Sequence, residues 1–195
     1  MTQKQTLCAK DADRFGLLRV ARRIASFRRE KRGVAAVEFA MIAPFMIALW
    51  LGSIELSQGV SADRKVAHAA SALADLITQQ TNLTGDEMDD IMDATQAIIS
   101  PFDPDNLTIR VAGIQIDSDG ATEVRWSEAR NGTAPAQGGT YAIPDALLIP
   151  NSFLVVANLS YMHTPAVAHA ISGSIELSDA FFLRPRRSEE ITYNP

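Results

Sequence analysis

The stretch that decides the fold is residues 34–54, VAAVEFAMIAPFMIALWLGSI. It carries one charge, Glu38, and is bounded by Arg32-Gly33 on one side and Glu55 on the other. As a helix rising about 1.5 Å per residue it is roughly 31 Å long, the thickness of a bilayer's hydrocarbon core. Core helices of soluble proteins keep a polar stripe, and this run has none. The segment therefore reads as a single N-terminal transmembrane helix, with Trp50 suited to the far interface. The competing reading is a cleaved secretory signal, whose apolar region is usually about 7–15 residues and ends at a small-residue site. The run is longer than that, and Glu55-Leu56 continues it without a turn signal.

Two residues inside the run stand out. Pro44 lacks an amide proton and loosens a helix, which lipid-embedded helices tolerate. Glu38 lies about one turn inside the apolar run, where a lone carboxylate is costly. It is either a functional group or a charge that snorkels to the headgroups from a shallow depth.

Charge divides sharply at this run. Residues 1–33 hold ten Lys/Arg against three Asp/Glu, a net +7, while the remaining 162 residues hold eight against twenty, a net −12. By the positive-inside rule the basic flank stays in the cytoplasm and the acidic remainder is exported. A basic segment beside a span sets topology or touches anionic lipid, so membrane lipid is the expected partner and nucleic acid is not.

Downstream, residues 55–80 place Leu56, Val60, Ala67, Ala70, Leu73, Leu76 and Ile77 at near-helical spacing, which predicts that the membrane helix continues as a stalk. Thr84 and Glu87 form a Thr-x-x-Glu capping box for a second helix over residues 85–99, with Met88, Ile91, Met92, Thr95, Ile98 and Ile99 on its apolar face. The acids Asp86, Glu87, Asp89, Asp90 and Asp93 suit the start of that helix and follow no calcium-loop pattern. Pro101 and Pro104 close it. Leu107–Ile116, Thr122–Ser127, Phe153–Tyr161 and Ser174–Leu183 then read as strands, with a hairpin turn at Asp117–Gly120 and a long loop over residues 130–152. The tail Arg184–Pro195 reads as a surface end. Helices followed by strands predict an α+β fold with a small antiparallel sheet. The organisation expected is residues 1–33 as a cytoplasmic leader, 34–54 as the span, 55–99 as stalk and second helix, and 100–195 as an exported β-rich domain.

Chemistry-bearing patterns are sparse. The single Cys8 excludes an internal disulfide and a cysteine-cluster metal site. His68, His163 and His169 follow no ligand spacing, so no metal and no cofactor is expected. The chain has no phosphate loop, no nucleophile elbow and no His-Glu-x-x-His, so no catalytic residue is assigned and an enzyme is not expected.

The string Lys31-Arg32-Gly33-Val34-Ala35-Ala36-Val37-Glu38-Phe39, a basic leader, a glycine, then glutamate fifth after it, resembles a type IV prepilin processing site. The longer opening GVAAVEFAMIAPFMIALWLGSIEL is similar to the TadE/TadG-like proteins of tight-adherence (Flp) pilus assembly. Later landmarks (Lys65-Val66, Ala69-Ala70, Ala74–Ile77, Val124–Ser127, Val155-Val156 and Tyr161…Pro165) extend the likeness over roughly residues 30–185. The resemblance implies a pilin-like fold in a bacterial inner membrane, with the β-rich domain periplasmic. It implies a prepilin peptidase cut between Gly33 and Val34, and pairing of Glu38 with a neighbour's new N-terminal amine. The partners it implies are other pilin-like subunits and the Tad secretion machinery. The 33-residue leader and Val34 at the mature start depart from the usual pilin pattern. The leading expectation is a non-catalytic minor pilin or pseudopilin. The alternative is a signal-anchored periplasmic binding or scaffold protein outside any pilus, and a periplasmic hydrolase is the least favoured.

Overall fold

The computed structural model describes residues 31–165 and 173–195. The basic leader through Glu30, with Cys8, and His169 lie outside them. The chain divides into two compact units, one ending at Leu51 and the other spanning Gly52–Pro195.

Helix α1, Lys31–Thr78, runs through Pro44 and past Leu51 without interruption. Its part in the first unit is exposed along most of its length: Val34 is 57% exposed, Phe39 72% and Leu49 72%. No packing onto the fold accounts for these apolar side chains. In the second unit α1 becomes one-sided, burying Ala62, Val66, Ala69, Ala70, Leu73, Ala74 and Ile77. This corrects the expected stripe in part. Leu56, Val60 and Leu76 are exposed at 70%, 43% and 38%, whereas Ala70, Leu73 and Ile77 are buried as expected and Ala62, Val66, Ala69 and Ala74 join them. Small and large apolar side chains of this face alike join the main core with α2 and the sheet.

A short strand β1, Asn82–Thr84, leads into α2, Gly85–Ile98. The capping box forms as expected. The Thr84 hydroxyl accepts from the Glu87 amide at 3.3 Å, and the Thr84 amide donates to Glu87 Oε2 at 3.0 Å. These bonds hold the Glu87 carboxyl below its ordinary pKa. Met88, Met92, Thr95 and Ile99 are buried, with Ile91 and Ile98 packed at the margin.

Strands β2 (Leu107–Ile116), β3 (Thr122–Arg130), β4 (Ser152–His163) and β5 (Ile175–Leu183) form an antiparallel sheet in the order β3-β2-β4-β5. The fold is therefore α+β. One face, with Ile109, Val111, Val155, Ala157 and Leu159, joins the helices in the main core. The other buries Ala112, Ile114, Val124 and Val156 under Tyr141 and Ile143 of the long β3–β4 loop. That loop is tied down by bonds from the Val124 amide to the Gly139 carbonyl (2.9 Å) and from the Gly138 amide to the Val124 carbonyl (2.8 Å). Gly113 pairs with Trp126 and Ile114 with Val124, so Arg125 is the extra residue of a β-bulge. On each outer strand an amide is engaged by the preceding acid. The Ala129 amide donates to Glu128 Oε1 at 3.2 Å, and the Ala180 amide donates to Asp179 Oδ1 at 2.8 Å.

The tail is not a surface end. Strand β6, Thr192–Asn194, pairs in parallel with β1, and Ile191 is only 2% exposed. The Trp126 indole N–H donates to the Ile191 carbonyl at 2.7 Å. The Arg186 amide donates to the Thr78 carbonyl at 3.0 Å, and the Arg186 guanidinium pairs with Asp75 at 2.6 Å. A buried apolar residue and a satisfied indole fix the tail where its composition alone suggested freedom.

Candidate functional site

Gly33, Val34 and Glu38 occupy the opening turns of α1, and all three are exposed. Val34 and Glu38 are four residues apart, so they share one face of the helix. A Cβ placed on Gly33 would have no atom within 4 Å, so the backbone there is open on every side. The Gly33–Val34 bond lies on an exposed stretch of α1, close to its first described residue. Glu38 follows one turn further on, among Val37, Phe39, Met41 and Ile42, all more than half exposed. Among the described residues one helix is long and apolar enough to cross a membrane, and it contains all three.

Several titratable side chains of the second unit have structural partners. Arg130, at the end of β3, bonds Asp89 at 2.8 Å and also pairs with Asp93, joining α2 to the sheet. Two of the acids of the second helix are thereby engaged with a guanidinium, and Glu87 with its cap. Tyr193 donates to Glu128 Oε2 at 2.9 Å. Burial and that carboxylate push the phenol up to about 12. Neither Tyr193 nor the indole bond was foreseen. The only sequence trace of them was the apolar-polar alternation Ile191-Thr192-Tyr193.

Two of the grooves on the second unit bear titratable side chains. One, of about 550 Å³, runs along α1 past Leu56, Val60, Arg64 and His68 to Ile98, and Lys65 Nζ donates there to the Ile98 carbonyl at 3.2 Å. The other, of about 770 Å³, lies between β3 and the tail, with Trp126, Glu128 and Tyr193 on its wall. The groove along α1 is lined by His68 together with Ser53, Ser57 and Ser61. The nearest of these in sequence, Ser61, stands two turns, about 10 Å, along the helix from His68. The groove beside the tail has no histidine on its wall. His163 is 7% exposed, stands edge-on to Phe102 and has Nε2 without a partner among the described residues. Among the described residues no three of His, Cys, Asp and Glu gather as a metal cluster.

Residues 33–75 match a family model described as TadE-like protein. The match opens on Gly33 and covers the apolar run with the first part of the stalk. No curated protein and no solved structure matches the chain.

Proposed function

We propose that this chain is a membrane-anchored, minor-pilin-like component of Tad (Flp) pilus assembly, with no catalysis of its own. The observation that carries this reading is that the match to TadE-like proteins begins at Gly33 and takes in the whole exposed apolar length of α1. In this reading residues 34–54 cross the bacterial inner membrane, the basic leader 1–33 is cytoplasmic, and the sheet-bearing domain is periplasmic. Membrane lipid surrounds the span, and pilin-like subunits with the Tad machinery are the partners.

The chemistry of the helix start supports the same reading. A prepilin peptidase acting on the open Gly33–Val34 bond would free an α-ammonium on Val34. In a low-dielectric medium, that ammonium on a neighbouring copy or subunit is a partner that offsets the cost of holding Glu38 charged. Coexpression with the peptidase is expected to shorten the chain by 33 residues and leave Val34 as its N-terminus, read by N-terminal sequencing. Gly33→Ala is expected to slow the cut. Persistence of the full-length N-terminus beside an active peptidase would leave a signal-anchored scaffold as the reading. Glu38→Ala is expected to insert normally yet lose crosslinking to partner subunits, with Glu38→Asp intermediate. Equal crosslinking by all three forms would remove the pairing role and leave Glu38 as a snorkelling charge.

A further inference from the structure

Gly52–Ile54, the last residues of the apolar run, belong to the same compact unit as the sheet. Heights within that unit can therefore be counted along α1 from Ile54. Gly59 is about 8 Å further on at 1.5 Å per residue. A Cβ on Gly59 would meet the His163 ring at 3.9 Å, which fixes the end of β4 at that height. Ile175, the first residue of β5, is the register partner of His163. From Ile175 to Leu183, β5 covers about 27 Å, and soon after it Arg186 bonds Thr78. The stretch of α1 from Gly59 to Thr78 covers about 29 Å. The two lengths agree, so sheet and stalk stand side by side with the β4–β5 end beside the end of the apolar run.

Beyond the apolar run, six large apolar side chains of the described chain are exposed, and four of them (Leu56, Val60, Met162 and Ile175) lie at this end. Met162 and its neighbour His163 point to opposite faces of the sheet, and Ile175 shares the face of His163. The exposed apolar residues thus sit on the helix and on both sheet faces at one common height. A protein partner seated on one face would cover only part of them; a layer lying across the strand ends covers all four. The headgroup region flanking the hydrocarbon core is roughly 5–8 Å thick, the same height.

We infer that the β4–β5 end of the exported domain is seated in the headgroup layer of the bilayer, with Leu56, Val60, Met162 and Ile175 in contact with lipid. The inference rests on the reading of residues 34–54 as a span. Asp103, Asp105 and Glu176 lie at the same end, so the contact draws on apolar area and does not require anionic lipid.

The test uses the full chain carrying Cys8→Ser, with a fluorophore on single cysteines at Met162, Ile175, Leu49 or Asp119, in phosphatidylcholine vesicles doped with nitroxide lipid. Nitroxides near the headgroup are expected to quench positions 162 and 175 severalfold more than 119, and deep nitroxides to quench 49. Quenching at 162 and 175 no stronger than at 119, with 49 still quenched, would overturn the inference and leave the span intact. A concentration-dependent blue shift at 162 and 175 without quenching would assign them to a second copy and overturn it equally. Absence of quenching at 49 would remove the span reading and this inference with it.

Discussion

At Gly113 the close approach of two aromatic rings depends on a missing methyl group. A Cβ there would lie 2.3 Å from the Trp126 ring and 2.6 Å from Phe153 Cζ. Gly113→Ala is expected to destabilise the fold by about 1–3 kcal/mol, read from urea midpoints in detergent. Because the Trp126 indole also holds the Ile191 carbonyl, the same substitution should shift tryptophan emission to the red. Tyr193 gives a second test at this scale. Its pKa is raised from 10.0 to about 12 in the folded chain, so folding favours its protonated form. The stability this contributes is complete below about pH 10 and is lost as pH rises towards 12. Burial raises Tyr141 as well, so alkaline absorbance titration should find more than one phenol ionising late, and Tyr193→Phe should remove one of those late phenols.

Helix α1 shows how far element-level reading reached. Its existence and continuity were legible in the apolar run, and the start of α2 was legible in Thr84-x-x-Glu87, because both signals are local. The inward face of α1 was legible in part: Ala70, Leu73 and Ile77 of the expected stripe are buried, Leu56, Val60 and Leu76 are exposed, and Ala62, Ala69 and Ala74, too small to stand out as apolar signals, share the buried face. Ala70→Leu is therefore expected to cost about 1–3 kcal/mol by overpacking. Leu76→Ala should change stability by no more than about 0.5 kcal/mol, and paired thermal melts in detergent compare the two. Strands β1 and β6 escaped prediction because each has three residues and their pairing, Asn82 with Thr192, spans most of the chain. The Gly33…Glu38 motif was legible because it is contiguous. The amine proposed to meet Glu38 belongs to another molecule, so no fold of one chain can display it.

For the molecule as a whole the tail closes the second unit. Ending the chain at Arg187 removes Ile191 and β6 and uncovers Leu83 and Trp126. The buried Ile191 side chain alone is worth about 1.5–3 kcal/mol. The shortened protein is expected to melt at lower temperature, with tryptophan emission shifted to the red before unfolding begins. The outer strands carry a different consequence. On the proposed reading, copies of this chain share one bilayer, diffuse in two dimensions and meet far more often than they would in free solution. Strand flanks with vacant amides would then knit copies into ribbons. Here Glu128 and Asp179 engage the Ala129 and Ala180 amides, and the β3–β4 loop takes the Val124 amide and carbonyl, so each outer strand offers a neighbouring copy a broken row of amides.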